Sequence, residues 1–172
     1  MLSVCLDTSF LISFADPDRK HHAAAVDYFR HCLGKGIPMF IPTLAAAEFQ
    51  VGQPVTDLPL QNFRILPYNL PHALKAASFV AALRRDEITK DEADLRKVVI
   101  NDLNILGQAA EEGIPVILTE DAGTLVRMAD RLRVANLSTV QTVLLKDGFT
   151  PGRLDNPQQT EMALRPVAPN QE

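Results

Sequence analysis

Hydrophobic positions in this chain are of two kinds: short unbroken apolar runs, and longer stretches where apolar residues return every three or four positions. Residues 2–6 (LSVCL) and 114–119 (IPVILT) are of the first kind and predict short buried strands. Residues 39–41 and 63–66 predict two more, and a fifth strand is expected near 134–137. Helical spacing covers 8–14, 22–33 and 44–51, the second stopped by Gly34 and Gly36. Pro71 opens a helix that runs to Arg85. Thr89 with Glu92 forms a Thr-x-x-Glu capping box for the next helix, which runs to Gly113. A short helix is expected from Ala122, and Ser138 with Gln141 predicts a last one ending at Gly148.

Strands interleaved with helices are βα units, so the fold class is α/β: a mainly parallel sheet covered by helices on both faces. Right-handed crossovers narrow this to a doubly wound sandwich. Residues 52–62 (GQPVTDLPLQN) read as a turn-rich insert. From Pro151 the pattern stops, and 151–172 carry four prolines. The expected organisation is one domain over 1–150 with a loose tail over 151–172.

With 172 residues, 47% of them hydrophobic, the chain can bury a sizeable core. A net charge of -4 argues against a basic coat for nonspecific nucleic-acid binding. No segment approaches 18 uninterrupted apolar residues and no basic, signal-like start is present, so a soluble cytoplasmic protein without membrane attachment is expected. Cys5 and Cys32 lack zinc-like spacing, and His21, His22, His31 and His72 form no HExxH pattern.

The chemistry is carried by acids. In an open parallel sheet, ligands collect beyond the carboxyl ends of the strands. Asp7 directly follows the first strand, and Asp121 follows the strand at 114–119 within "LTED", so both belong to the same edge. Asp102 recurs with Leu95, Val99, Leu106 and Ala109 at helical spacing, which puts a carboxylate inside an apolar stripe. Glu48 shares a face with Leu44 and Val51 in a helix just after a strand. Taken singly, Asp7 and Asp121 read as helix caps. Taken together, four converging carboxylates repel one another unless a cation sits among them, and hard oxygen donors suit Mg²⁺ or Mn²⁺.

The stretches "LDTSFLISFAD", "IPTLAAAEF" and "INDLNILGQAAEEGIPVILTEDAGTL", in this order, resemble the successive motifs of the PIN-domain family. That family consists of metal-dependent ribonucleases, many of them toxins of type II toxin–antitoxin modules. The resemblance implies a single domain with a mainly parallel five-stranded sheet between helices. It implies that Asp7, Glu48, Asp102 and Asp121 are both catalytic residues and ligands of Mg²⁺ or Mn²⁺, with Thr8, Ser9 and Thr119 in support. It also implies an RNA substrate, an antitoxin as possible partner, and a homodimer. Some family members place a further acid two residues after the last aspartate; Gly123 stands there in this chain.

The expected reaction is phosphodiester hydrolysis, with Asp7, Asp102 and Asp121 as ligands and Glu48 as a ligand or as the acceptor of a proton from water. Arg84, Arg85, Lys90, Arg96 and Lys97 form one candidate phosphate-binding group, and Arg127, Arg131 and Arg133 another. With 6% aromatics and no Trp, no aromatic-rich stacking platform is visible. The apolar runs 11–14 and 79–83 are candidate partner faces. Two other readings stand beside this one: a catalytically silent PIN-fold binding module, and a haloacid-dehalogenase-like phosphatase with Asp7 as nucleophile. The latter calls for an acid where Ser9 stands.

Overall fold

Two strands fix the frame: β1 (Val4–Leu6) and β4 (Val116–Thr119) run parallel at the centre of the sheet, with Val4 opposite Val116 and Leu6 opposite Leu118. The computed structural model describes the backbone of residues 2–85 and 92–155, and side chains of 2–83 and 100–154. Outward from β1 come β2 (Met39–Pro42) and then β3 (Arg64–Leu66); outward from β4 comes β5 (Gln141–Leu144). The order is β3-β2-β1-β4-β5 and every pairing is parallel. A parallel sheet needs a crossover between neighbours, and helices supply it.

Side chains alternate across a strand, so the central strands feed two cores. Val4, Leu6, Val116 and Leu118 pack beneath α1 (Thr8–Ala15), α2 (His22–Lys35) and α3 (Thr43–Gly52), with Phe10, Tyr28 and Phe49. Cys5 and Ile117 face the other way, toward α4 (Leu70–Arg85), α5 (Glu92–Glu111) and α6 (Thr124–Val134), with Phe79, Leu106 and Leu125. Each core therefore holds one free thiol, Cys32 in the first and Cys5 in the second, both fully buried. Burial pushes the Cys32 thiol up to about 11 and the Cys5 thiol further still.

Several expectations are corrected. Residues 134–137 are not a strand: Val134 ends α6, and the chain turns at Asn136 with a φ of 55°. The strand lies over Gln141–Leu144, where a capping box predicts a helix. Ser138 Oγ accepts from the N–H of Val140, but no helix follows, because β-branched Thr139, Val140, Thr142 and Val143 favour extended chain. The runs 11–14 and 79–83 are not open partner faces, because Leu11, Phe79 and Leu83 are core residues. At the end of the domain, α7 (Gly152–Asp155) buries Leu154 in the first core, and Arg153 meets Asp147 at 2.8 Å. The loose-tail reading thus does not hold for 152–155; residues 156–172 lie outside the described ones. So do Thr89 of the first capping box and the side chains of Arg84, Arg85, Lys90, Arg96 and Lys97.

The α4–α5 pair is closely spaced at one point. A Cβ at Gly107 would stand 2.9 Å from the backbone nitrogen of Ala76 and 3.0 Å from its Cβ. Backbone does not yield as a flexible side chain does, so Gly107→Val is expected to destabilise the fold by about 1–3 kcal/mol. A urea titration checks this; an unchanged midpoint would show that the helices separate freely.

Candidate active site

Asp7 leaves β1 at its carboxyl end, and its N–H continues the ladder by donating to the Leu118 carbonyl at 3.1 Å. The side chain is buried. Its Oδ2 accepts from Ser9 Oγ at 2.6 Å, from Thr119 Oγ1 at 2.9 Å and from the Ser9 N–H at 3.3 Å. The last of these is the N-cap bond of α1, so the capping reading of Asp7 is correct as far as it goes. The two hydroxyls stand 3.0 Å apart, each donating its proton to Asp7.

The loop after β4 is tied to the same hydroxyls. Ser9 Oγ accepts from the Glu120 N–H at 2.9 Å, and Thr119 Oγ1 accepts from the Asp121 N–H at 3.0 Å. Glu120 is anchored from below by fully buried Ser13, whose hydroxyl donates to its carboxylate. Asp121 Oδ1 accepts from the Gly123 N–H at 2.6 Å, a local turn rather than a helix cap, since the cap of α6 is Gly123 itself.

Glu48 projects from α3 into solvent, and its placement needs correction. The core side of α3 is Ala45 and Phe49, whereas Val51 is 90% exposed, so the face shared by Glu48 and Val51 is not apolar packing. Thr8 Oγ1 donates to Glu48 Oε2 at 2.5 Å and Asn101 Nδ2 donates to Oε1 at 2.6 Å. Both carboxylate oxygens are thus held from two helices.

Asp102 is the anomaly. It is 8% exposed, and its Oδ2 is buried with no hydrogen-bond partner among the described residues. Desolvation raises its pKa to about 7; the nearby Thr124 hydroxyl opposes the shift, and the negative charges of Asp7, Asp121 and Glu48 add to it. That field is the physical sign that the four acids share one neighbourhood. Even so, among the described residues no three His, Cys, Asp or Glu side chains gather closely enough to hold one metal ion.

A family model described as the PIN domain matches residues 4–131. The chain belongs to the PIN domain family. Solved structures with a similar fold include a chain of the VapBC2 complex from Rickettsia felis, bound to a DNA fragment from its promoter. It is 14% identical with a TM-score of 0.56, over 83% of this chain and 98% of that one. A chain of the DNA-bound VapBC of Salmonella typhimurium is 18% identical with a TM-score of 0.54, over 84% and 99%. VapC20 of Mycobacterium tuberculosis, a sarcin–ricin loop cleaving toxin, is 14% identical with a TM-score of 0.50, over 81% and 99%. At these identities the likeness is one of fold. No curated protein matches the sequence.

Within this PIN domain, the departure at Gly123 has a local reason. A Cβ there would stand 2.7 Å from Asp121 Oδ1, so any side chain at 123 would displace the carboxylate. Sequence reasoning missed Asn101, which fixes Glu48, and Glu120 with Ser13, which fix the loop. A signal existed for the first: Asn101 and Asn104 flank Asp102 at positions a helix presents together.

The Asp102 shift has a testable sign. Its carboxyl titrates near 3.8 in the unfolded chain and at about 7 in the fold. Between those values the folded state keeps a proton that the unfolded state has released, so stability falls as pH rises through the window. Asp102→Asn does not ionise. Without divalent cation, its stability relative to the wild type is expected to improve from pH 4 to pH 7.5. Urea midpoints at both pH values measure this, and a constant gap would contradict it.

Proposed function

We propose that this PIN domain is a divalent-metal-dependent endoribonuclease that hydrolyses RNA phosphodiester bonds at the carboxyl edge of its sheet. The observation that carries this reading is the buried oxygen of Asp102, without a partner among the described residues, in the field of three further acids. A buried carboxylate without a partner costs stability, and a cation is the partner that also relieves the repulsion. The donors are all hard oxygens, with no thiol or imidazole among them, which fits Mg²⁺ or Mn²⁺. Asp7, Glu48, Asp102 and Asp121 would hold the ion by drawing together, since as they stand no three of them are close enough to share one. When bound, it supplies Lewis acidity at a phosphoryl oxygen and lowers the pKa of water.

The chain's own residues prepare the rest. Ser9 and Thr119 fix the rotamer of Asp7, and the Gly123 N–H fixes that of Asp121. Thr8 and Asn101 hold Glu48 where it would take a proton from an attacking water, as the most exposed carboxylate of the four. Arg127 is exposed on α6 and would meet phosphate. The VapBC neighbours support placing the chain on the toxin side of a toxin–antitoxin pair.

Labelled single-stranded RNA is expected to be cut in Mg²⁺ or Mn²⁺ and left intact in EDTA. Asp102→Asn should abolish cleavage, and Thr119→Val should lower it roughly 10- to 100-fold through Asp7. Mn²⁺ should also raise the thermal midpoint of the wild type and not that of Asp102→Asn. Stabilisation by Mn²⁺ without cleavage of any RNA would favour the silent binding module.

A further inference from the structure

Beyond the acids, the same edge of the sheet carries an aromatic side chain that the reaction above does not use. Pro42 and Leu66 are paired across β2 and β3, so the residues following them emerge side by side. There the Tyr68 N–H donates to Thr43 Oγ1 at 3.1 Å, which holds the backbone just past β3. The Tyr68 hydroxyl donates to Asn104 Oδ1 at 2.8 Å, which holds the far end of the ring. On one side the ring meets buried His72, with centroids 6.0 Å apart and planes at 48°. Tyr68 is nevertheless half-buried rather than buried.

The link to the acids runs along α5. Asn104 lies one helical turn from Asn101, and Asn101 holds Glu48. Side chains three apart on a helix are neighbours, with Cβ atoms about 5–6 Å apart. Tyr68 is therefore linked along α5 to Glu48, and it is held at both ends. In the first turns of α4, which follows, Leu70 and Leu74 are 70% and 63% exposed. An aromatic residue that is half-buried and held in orientation suits a flat, π-faced ligand, because little conformational freedom remains to be lost on stacking.

We propose that Tyr68 is a base-stacking residue, which receives the base of a nucleotide adjoining the bond that is cut in single-stranded RNA. This rests on the nuclease reading and adds to it a subsite on the β3 side of the acids. Asn104 and Thr43 act as positioning residues that present the ring, while the acids address only the phosphate. Stacking tolerates any base and fails with none, so the subsite sets where the strand lies more than which sequence is chosen.

The experiment is steady-state cleavage of a short single-stranded RNA, and of the same strand with one abasic nucleotide at successive positions about the cut. Wild type, Tyr68→Phe and Tyr68→Leu are compared. Tyr68→Leu is expected to raise KM roughly 5- to 150-fold, the range of one base–aromatic stack, with the loss in KM rather than in kcat. Tyr68→Phe should recover most of that loss. One abasic position should raise the wild-type KM and leave that of Tyr68→Leu unchanged. An unaltered KM in Tyr68→Leu would overturn the proposal. So would a loss in Tyr68→Phe as large as in Tyr68→Leu, which would assign the effect to the hydroxyl and its bond to Asn104.

A second measurement does not depend on cleavage. The chain has no Trp and two Tyr, and Tyr28 is fully buried, so stacking on Tyr68 is read from tyrosine emission. Adding the RNA should quench wild-type emission and leave Tyr68→Phe unquenched. A quench without cleavage would overturn the nuclease reading and keep the stacking subsite. Cleavage without a quench would do the reverse, and neither would end both.

Discussion

Parallel pairing of β1 with β4 is the constraint from which the rest of the molecule follows. Because both strands run the same way, whatever follows Leu6 and whatever follows Thr119 must emerge at one edge. The bond from the Asp7 N–H to the Leu118 carbonyl extends that pairing one residue beyond β1. A slip of one residue would turn Thr119 from its fully buried place beside Asp7 to the opposite face of the sheet. Register and site are thus fixed by the same hydrogen bonds. The alternation that puts Cys5 and Ile117 in one core and Val4 and Leu118 in the other is a second result of that register.

Such an edge concentrates negative charge, and neutral donors orient the acids along it. Ser9, Thr119, Thr8, Asn101 and the Gly123 N–H each donate a hydrogen bond to a carboxylate. Neutral donors orient an acid without cancelling its charge, so the field remains available for a cation. Asp102 keeps one buried oxygen without a hydrogen-bond partner among the described residues, and its pKa is raised, first by burial and then by the neighbouring charges.

Much of this was legible in the sequence because two periodicities carried it. Unbroken runs at 2–6 and 114–119 marked the central strands, and the helical recurrence of Leu106 and Ala109 with Asp102 foretold a buried acid. The fifth strand was misplaced because Ser138 and Gln141 mimic a capping box, while their true neighbours are set by pairing with β4, a contact no local pattern records. Glu48 was assigned to the right helix and the wrong environment, since Val51 shares its spacing but faces water. Ser13 and Tyr68 act through partners 107 and 36 positions away, and separations of that size leave no trace in spacing.

The division of the two cysteines between the two cores gives the molecule a built-in pair of reporters. Both thiols are buried and held in the protonated form, so neither presents the thiolate that alkylating reagents attack. Each becomes reactive only when its own layer opens. Labelling of Cys32 therefore clocks the loosening of the α1–α2 side, and labelling of Cys5 clocks the α5–α6 side. The order in which the two are modified tells whether the halves of this domain come apart together or in turn.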